Sequence, residues 1–316
     1  MHLVSSIVFA AVALWTASVP ACAALSATSP ARKVVDVAQG EIVELNVSAS
    51  DLTSVTGRLG AETVYFYQTR RDNFEALVGV DLEAKPGLAN VFIRGETIAG
   101  QPLDREIVLR VKRKAFRKES FTVAPKFDRF SPQVLERIAF ERERMAAVYR
   151  NGEPHRLWDG AFRAPVPTQV TSPFGYRRII NGAARSPHTG VDLKAAIGRE
   201  IAAPNHGRVV LLGDFFFSGK SLVVDHGAGL FTMYFHLSEF NIEEGGEVRR
   251  GEIIGLAGMS GRVTGPHLHW GARLNGARID PFELIEKVGA DATASAQLDA
   301  GQPRMENDDG KKAPNE

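Results

Sequence analysis

In the stretch GPHLHWGA, residues 265–272, two histidines stand one residue apart in a chain that has eight in all. Imidazole suits both the binding of a transition metal and the movement of a proton near neutrality. In an extended strand, residues i and i+2 point to the same face, about 7 Å apart along the chain. His267 and His269 therefore present two imidazoles to one pocket, while Leu268 and Trp270 face a core. Pro266 stands just before the pair, where a missing N–H is best tolerated.

A second pattern, SPHTGVD, sets His188 and Asp192 four residues apart. A fully extended chain would separate them by about 13 Å. That is too far for two ligands that must each approach a zinc to about 2.0–2.2 Å, so the chain must bend between them, and Gly190 permits it. His236 closes LFTMYFHL, a run rich in β-formers. Two histidines and one aspartate around an open fourth position make a catalytic zinc site. Five candidates leave two imidazoles over, as general base or as donors to an oxyanion. Spacing alone does not say which of His267 and His269 holds the metal. His155 lies in a connector, and His206 and His226 sit beside glycines in expected turns; all three are read as non-catalytic. No HExxH occurs, which excludes a helix-borne zinc site of that type.

The elements that must position these residues follow from periodicity. From residue 31 to 124, segments such as EIVELNV, TVYFYQT and REIVLRVKRK alternate or cluster β-formers between glycine and proline turns. Such a segment predicts an immunoglobulin-like β-sandwich without a disulfide. Arg105 to Lys118 carries seven basic residues against one acidic, Glu106, and reads as the charged solvent face of an edge strand. Residues 131–151 change to a helical period, with Ser131 as cap and Pro132 in the first turn; this predicts a connector helix. From 160 to 287 short, glycine-rich strands return and predict an all-β catalytic domain. In GDFFFSGKS, Phe215, Phe216 and Phe217 cannot all face one core, so one must be exposed or near a hairpin tip, walling a groove or packing on the N-terminal domain. Tyr234, two before His236, is expected to share its face and reach the groove. Residues 289–316 are small and polar, and read as a disordered tail.

Residues 1–23 run apolar to Pro20 and end in Ala21-Cys22-Ala23, an A-x-A cleavage site, and read as a signal peptide. A periplasmic or secreted protein is expected. Cys22 is the only cysteine; cleavage after Ala23 leaves a chain without thiols, suited to an oxidising compartment, whereas lipoprotein anchoring at Cys22 fits poorly beside Pro20. The balance of 38 basic and 37 acidic residues gives no general pull toward nucleic acid or anionic membrane, so selectivity must come from a local site.

Taken together, SPFGYRR, HTGVD, IAAPNHGRVV, LVVDHGAGLFTMYFHL, GEIIGLAGMSGRVTGPHLHWGARLNG and DPFELI resemble, in order and spacing, the lysostaphin-type zinc metallopeptidases, whose catalytic module is called the LytM domain. The resemblance covers about Arg163 to Ile285. It implies an antiparallel β-fold, the duplicated hybrid motif, with one zinc per chain in a groove. The implied activity is hydrolysis of peptide cross-links in bacterial peptidoglycan, with zinc-bound water as nucleophile. Position by position, it implies His188, Asp192 and His269 as zinc ligands, His267 as catalytic base and His236 as the histidine that helps stabilise the transition state. The implied substrates are peptidoglycan stem peptides, and a regulatory partner in the envelope would act through the N-terminal domain. A non-catalytic relative that activates cell-wall amidases is the alternative. Such relatives lack some of these five residues, and none is missing here.

Overall fold

Alternation of apolar and polar residues builds the first half of the chain. In Ile42–Ser48, Val43, Leu45 and Val47 are buried while Glu44, Asn46 and Ser48 are exposed, as expected of a strand with one face on a core. The computed structural model describes residues 33–121, 130–180, 182–184 and 186–288. The expected signal peptide with Cys22 and the polar tail from residue 289 lie outside the described residues.

The first strands are β1 (Lys33–Ala38), β2 (Ile42–Ser48), β3 (Leu52–Leu59), β4 (Glu62–Tyr65) and β5 (Tyr67–Arg70). They continue with β6 (Asn73–Gly79), β7 (Gly87–Thr97), β8 (Pro102–Lys112) and β9 (Lys118–Phe121). A five-stranded sheet of order β1-β8-β7-β3-β4 and a three-stranded sheet of order β2-β6-β5 share one core that includes Leu45, Val64, Phe74, Val78, Ile93 and Leu109. The result is a β-sandwich.

The basic run does not lie on an edge. β8 sits between β1, its parallel partner, and β7. Its charge is balanced locally instead: Arg110 and Lys112 both meet Asp36, at 3.1 and 2.6 Å. Parallel pairing of β1 with a strand about seventy residues away leaves no local sequence signature, which is why the edge expectation failed.

Helix α1 (Pro132–Arg150) starts where Ser131 Oγ accepts from Val134 N and Pro132 occupies the first turn. Next come β10 (Val170–Ser172), β11 (Arg177–Ile180), β12 (Ala183–Ala184), β13 (Gly190–Lys194), β14 (Glu200–Ala202) and β15 (Gly207–Phe215). They are followed by β16 (Gly219–Gly227), β17 (Leu230–Phe240), β18 (Glu247–Val248), β19 (Ile253–Ala257), β20 (His267–Leu274), β21 (Ala277–Ile279) and α2 (Phe282–Lys287). A ten-stranded sheet has the main order β10-β13-β20-β17-β16-β15-β18. One face of its central strands is the core, where Val191, Leu193, Leu222, Tyr234, Leu268 and Trp270 are all at most 2% exposed. Burial of side chains of this size contributes about 1.5–3 kcal/mol each. That burial fixes which residues of β13 and β20 face the other way.

On that other face α1 does more than connect. Its Met145, Val148 and Tyr149 pack on Leu211, Phe215, Val223, Phe231 and Met233, and Arg137 and Arg144 donate to the carbonyls of Asp214 and Leu212. Phe215 is buried there, whereas Phe216 and Phe217 at the β15–β16 tip meet Phe130 edge-on at 5.6 and 5.9 Å. The three phenylalanines thus pack on the residues around α1 and not on the sandwich.

The sandwich docks through Ile42 and Leu77 against Trp158, Phe162, Leu230, Leu274 and Leu284. Arg278 clasps Asp81 with bonds of 2.6 and 2.9 Å, and Asp280 N donates to Gly40 O at 2.8 Å. Further on, β9 pairs in parallel with β11. Among the described residues no helix is long and apolar enough to cross a membrane.

Candidate metal centre

β13 and β20 are antiparallel, with Asp192 directly opposite His269 and Lys194 opposite His267. This register, enforced by burial of Leu193, Leu268 and Trp270 on the other side, puts the Asp192 carboxylate and two imidazoles on one face. His188 precedes β13 and is tied to the chain before it, its N–H donating to Tyr176 O and its C=O accepting from Gly175 N. Gly190 has no left-handed φ and so is not the bend that the spacing suggested. Its lack of a side chain matters for another reason: a Cβ there would lie 2.5 Å from Trp270 O and 2.7 Å from His269 Nε2.

Three donor atoms converge. His188 Nε2 lies 2.9 Å from His269 Nδ1 and 3.0 Å from Asp192 Oδ1, and His269 Nδ1 lies 3.0 Å from Asp192 Oδ1. Ligands about 2.05 Å from a tetrahedral zinc stand about 3.3 Å apart, so this triangle fits such an ion with a small expansion. The protonation states suit it too. His188 Nδ1 lies 3.0 Å from Pro173 O; a carbonyl only accepts, so Nδ1 carries a proton there and Nε2 is the nitrogen turned to Asp192 and His269. Burial pushes the Asp192 carboxyl up, but hydrogen bonds from His188 and His269 and their positive potential outweigh it and hold it well below the usual carboxylate range. Burial pushes the His269 imidazole down against its bond to Asp192. A charged carboxylate and neutral imidazoles are the forms that bind a metal.

His267 and His236 stand beside this trio, their rings 4.8 Å apart, with His267 Nε2 3.7 Å from Asp192 Oδ1. Each has Nδ1 on a carbonyl, Gly265 O at 2.9 Å and Ser260 O at 3.0 Å, so Nδ1 donates there and Nε2 is the ring nitrogen left for the site. Burial, reinforced by the neighbouring imidazoles of His267 and His269, pushes the His236 pKa down to about 4. At neutral pH it is an acceptor, not a cation.

His236 reaches this position through a backbone exception. Its φ is +67°, a region that non-glycine residues rarely occupy. Around it the β16–β17 register slips, with Tyr234 opposite Leu222 but Leu237 opposite Lys220. The break lets consecutive residues serve one site: Phe235 stacks on His269 at 5.2 Å, 3° from parallel, and His236 faces His267. Strict alternation had Tyr234 reaching the groove; it is instead fully buried, its hydroxyl 2.8 Å from Thr232 Oγ1.

His226 lies in β16 rather than in a turn, fully buried between His206 O and Thr232 Oγ1. His155 is exposed against Glu153. Neither joins the cluster. The sequence reading missed Phe235, which alternation assigns to the wrong face, and Ser260, whose contribution is a backbone carbonyl.

Comparison with known proteins bears on the same segment. The family model described as Peptidase family M23 matches residues 186–281. A solved structure assigned to peptidase M23 from Pseudomonas aeruginosa superposes with a TM-score of 0.62 at 30% identity, covering 78% of this chain and 94% of that one. The DD-carboxypeptidase/endopeptidase Mpg of Neisseria meningitidis serogroup B is 41% identical over 133 residues, 41% of this chain and 31% of that protein. The peptidoglycan DD-endopeptidase ShyA of Vibrio cholerae serotype O1 is 36% identical over 124 residues, 38% and 29% of the two chains. The chain thus spans about a third of the length of the curated relatives it matches.

Proposed function

Since the chain belongs to peptidase family M23, we propose that it is a zinc-dependent endopeptidase that hydrolyses peptide cross-links of peptidoglycan. The observation that carries this reading is the meeting of three metal-binding atoms within 2.9–3.0 Å of one another beside the imidazoles of His267 and His236. The naming of the Neisseria and Vibrio relatives supports the choice of substrate.

His188, Asp192 and His269 hold the metal. When bound there, zinc supplies the Lewis acidity that polarises the scissile carbonyl and brings water toward a pKa of about 7. His267 Nε2 takes the proton of the attacking water and delivers it to the leaving nitrogen as the C–N bond breaks. His236 begins neutral; as negative charge grows on the substrate oxygen its Nε2 takes a proton from bulk water, donates a hydrogen bond to that oxygen, and returns the proton to water once the C–N bond has broken and the charge is gone. Ser260 O and Gly265 O keep both rings oriented throughout.

Action outside the cytoplasm, periplasmic or secreted, is part of the proposal. The leader pattern of residues 1–23 and the whereabouts of the substrate support it. Digestion of purified sacculi by the zinc-loaded protein is the test, with fragments weighed by mass spectrometry. Loss of cross-linked dimers and gain of monomers is expected, abolished by a chelator and restored by zinc. Unchanged sacculi together with stimulation of an added amidase would instead identify a regulator.

A further inference from the structure

One charged side chain on the site face has no role in this scheme. Lys194 lies directly opposite His267 in the β13–β20 pair, and side chains opposite each other in an antiparallel pair have Cβ atoms about 5 Å apart. It shares its face with Asp192, two residues earlier, and is exposed while Val191 and Leu193 are buried behind it.

The other cations of these strands do not compete for its position. β17 contains no Lys or Arg. Arg273 of β20 lies 4.6 Å over the Tyr149 ring and donates to Gly276 O at 3.0 Å. Asp192, the carboxylate nearest in sequence, is committed to His188 and His269. Lys194 forms no ion pair among the described residues.

The neighbour of this free ammonium is the imidazole assigned to protonate the leaving nitrogen. Whatever hangs on the carbon bearing that nitrogen must lie close by: a carboxyl carbon there is about 2.5 Å from the nitrogen, from standard backbone dimensions. The lysine stem spans such an offset, and its ammonium is a compact donor for a carboxylate. We propose that Lys194 binds a free carboxylate carried by the carbon next to the scissile nitrogen, which makes the site selective for bonds whose leaving residue has that group. This rests on the peptidase reading above and specifies its substrate.

Two substrates share the chemistry. A C-terminal residue released from a stem peptide has a free carboxylate on the carbon bearing the scissile nitrogen. So does the distal centre of a diamino dicarboxylic acid whose side-chain nitrogen closes a cross-link. A glycyl-glycine bond within a bridge does not, because the next carboxyl is itself an amide. One lysine thus accounts for both exo- and endo-cleavage of one class of bond, and for discrimination against the other.

The test compares a stem peptide ending in D-alanyl-D-alanine with its C-terminal carboxamide, using the zinc-loaded full chain. The acid is expected to be preferred over the amide by about tenfold in kcat/KM, as for one charge-assisted contact. In Lys194→Met, with zinc content unchanged, that ratio should fall to about one. Lys194→Arg should keep much of it, and Lys194→Glu should invert it. Cleavage of both peptides without preference by the wild type, or a preference that survives in Lys194→Met, overturns the assignment and leaves the peptidase standing. If the wild type cleaves neither peptide nor sacculi, both fall.

Discussion

What each ring nitrogen faces decides what each histidine does. His188, His236 and His267 all have Nδ1 against a carbonyl, which leaves Nε2 free, whereas His269 turns Nδ1 itself to the metal trio. In the proposed scheme His267 is base and not ligand: it stands outside the trio, its Nε2 3.7 Å from Asp192 Oδ1, so its removal would take away a proton acceptor and leave the three ligands. His267→Ala should lower turnover about 10²- to 10⁴-fold with zinc retained, checked by hydrolysis of cross-linked muropeptides and metal analysis; loss of zinc would move His267 into the ligand set. The five residues were legible from type and spacing because imidazole and carboxylate are rare, specific groups. The acceptors that fix them were not, because the carbonyls of Pro173, Ser260 and Gly265 have no residue-type signature.

Two local devices hold the catalytic groups, and both act between elements. The loop after β19 is fastened by Ser260, whose Oγ accepts from Lys220 N and donates to Leu237 O, both at 2.8 Å, on either side of the register slip that carries His236. Ser260→Ala leaves the Lys220 N–H without its partner, at a cost of about 1–3 kcal/mol, and should lower kcat about ten- to a hundredfold through displacement of His236. Thermal unfolding and kcat measured together check it, with Ser260→Thr restoring part of the rate; an unchanged kcat would free His236 from this loop. The second device is the close approach of β13 to β20 at Gly190. Gly190→Ala forces a Cβ onto Trp270 O, should destabilise by about 1–3 kcal/mol and should weaken zinc binding, as read by competition with a chromophoric chelator. The sequence reading marked Gly190 for the wrong reason, since the crowding strand is eighty residues away. It placed Tyr234 in the groove because nothing local announces a positive φ at His236.

At the scale of the whole molecule, the sandwich is mounted by an apolar contact through Ile42 and Leu77 and the Asp81–Arg278 clasp, while α1 lies on the sheet face that also bears the metal trio. The strands and the helix were legible from their periods; the pairing of β1 with β8 and of β9 with β11 was not, because long-range register is set by contacts rather than by local pattern. The core also predicts acid sensitivity. Burial pushes His226 down to about 4, against about 6.5 when unfolded. The unfolded chain then takes up a proton that the folded chain refuses, so stability is whole above pH 6.5 and falls as pH drops toward 4, by up to about 3 kcal/mol. Urea unfolding at pH 7 and pH 4.5 should show this loss, and His226→Gln should reduce it; equal acid loss in the variant would point to other groups.

Binding of the ion itself tests most directly the convergence of His188, Asp192 and His269. Zinc titrated into the metal-free protein and followed by calorimetry should bind once per chain, with X-ray absorption showing only nitrogen and oxygen neighbours at about 2.0–2.2 Å. Asp192→Ala should lose that binding. One equivalent of zinc held with undiminished affinity by the Asp192→Ala protein would contradict the account.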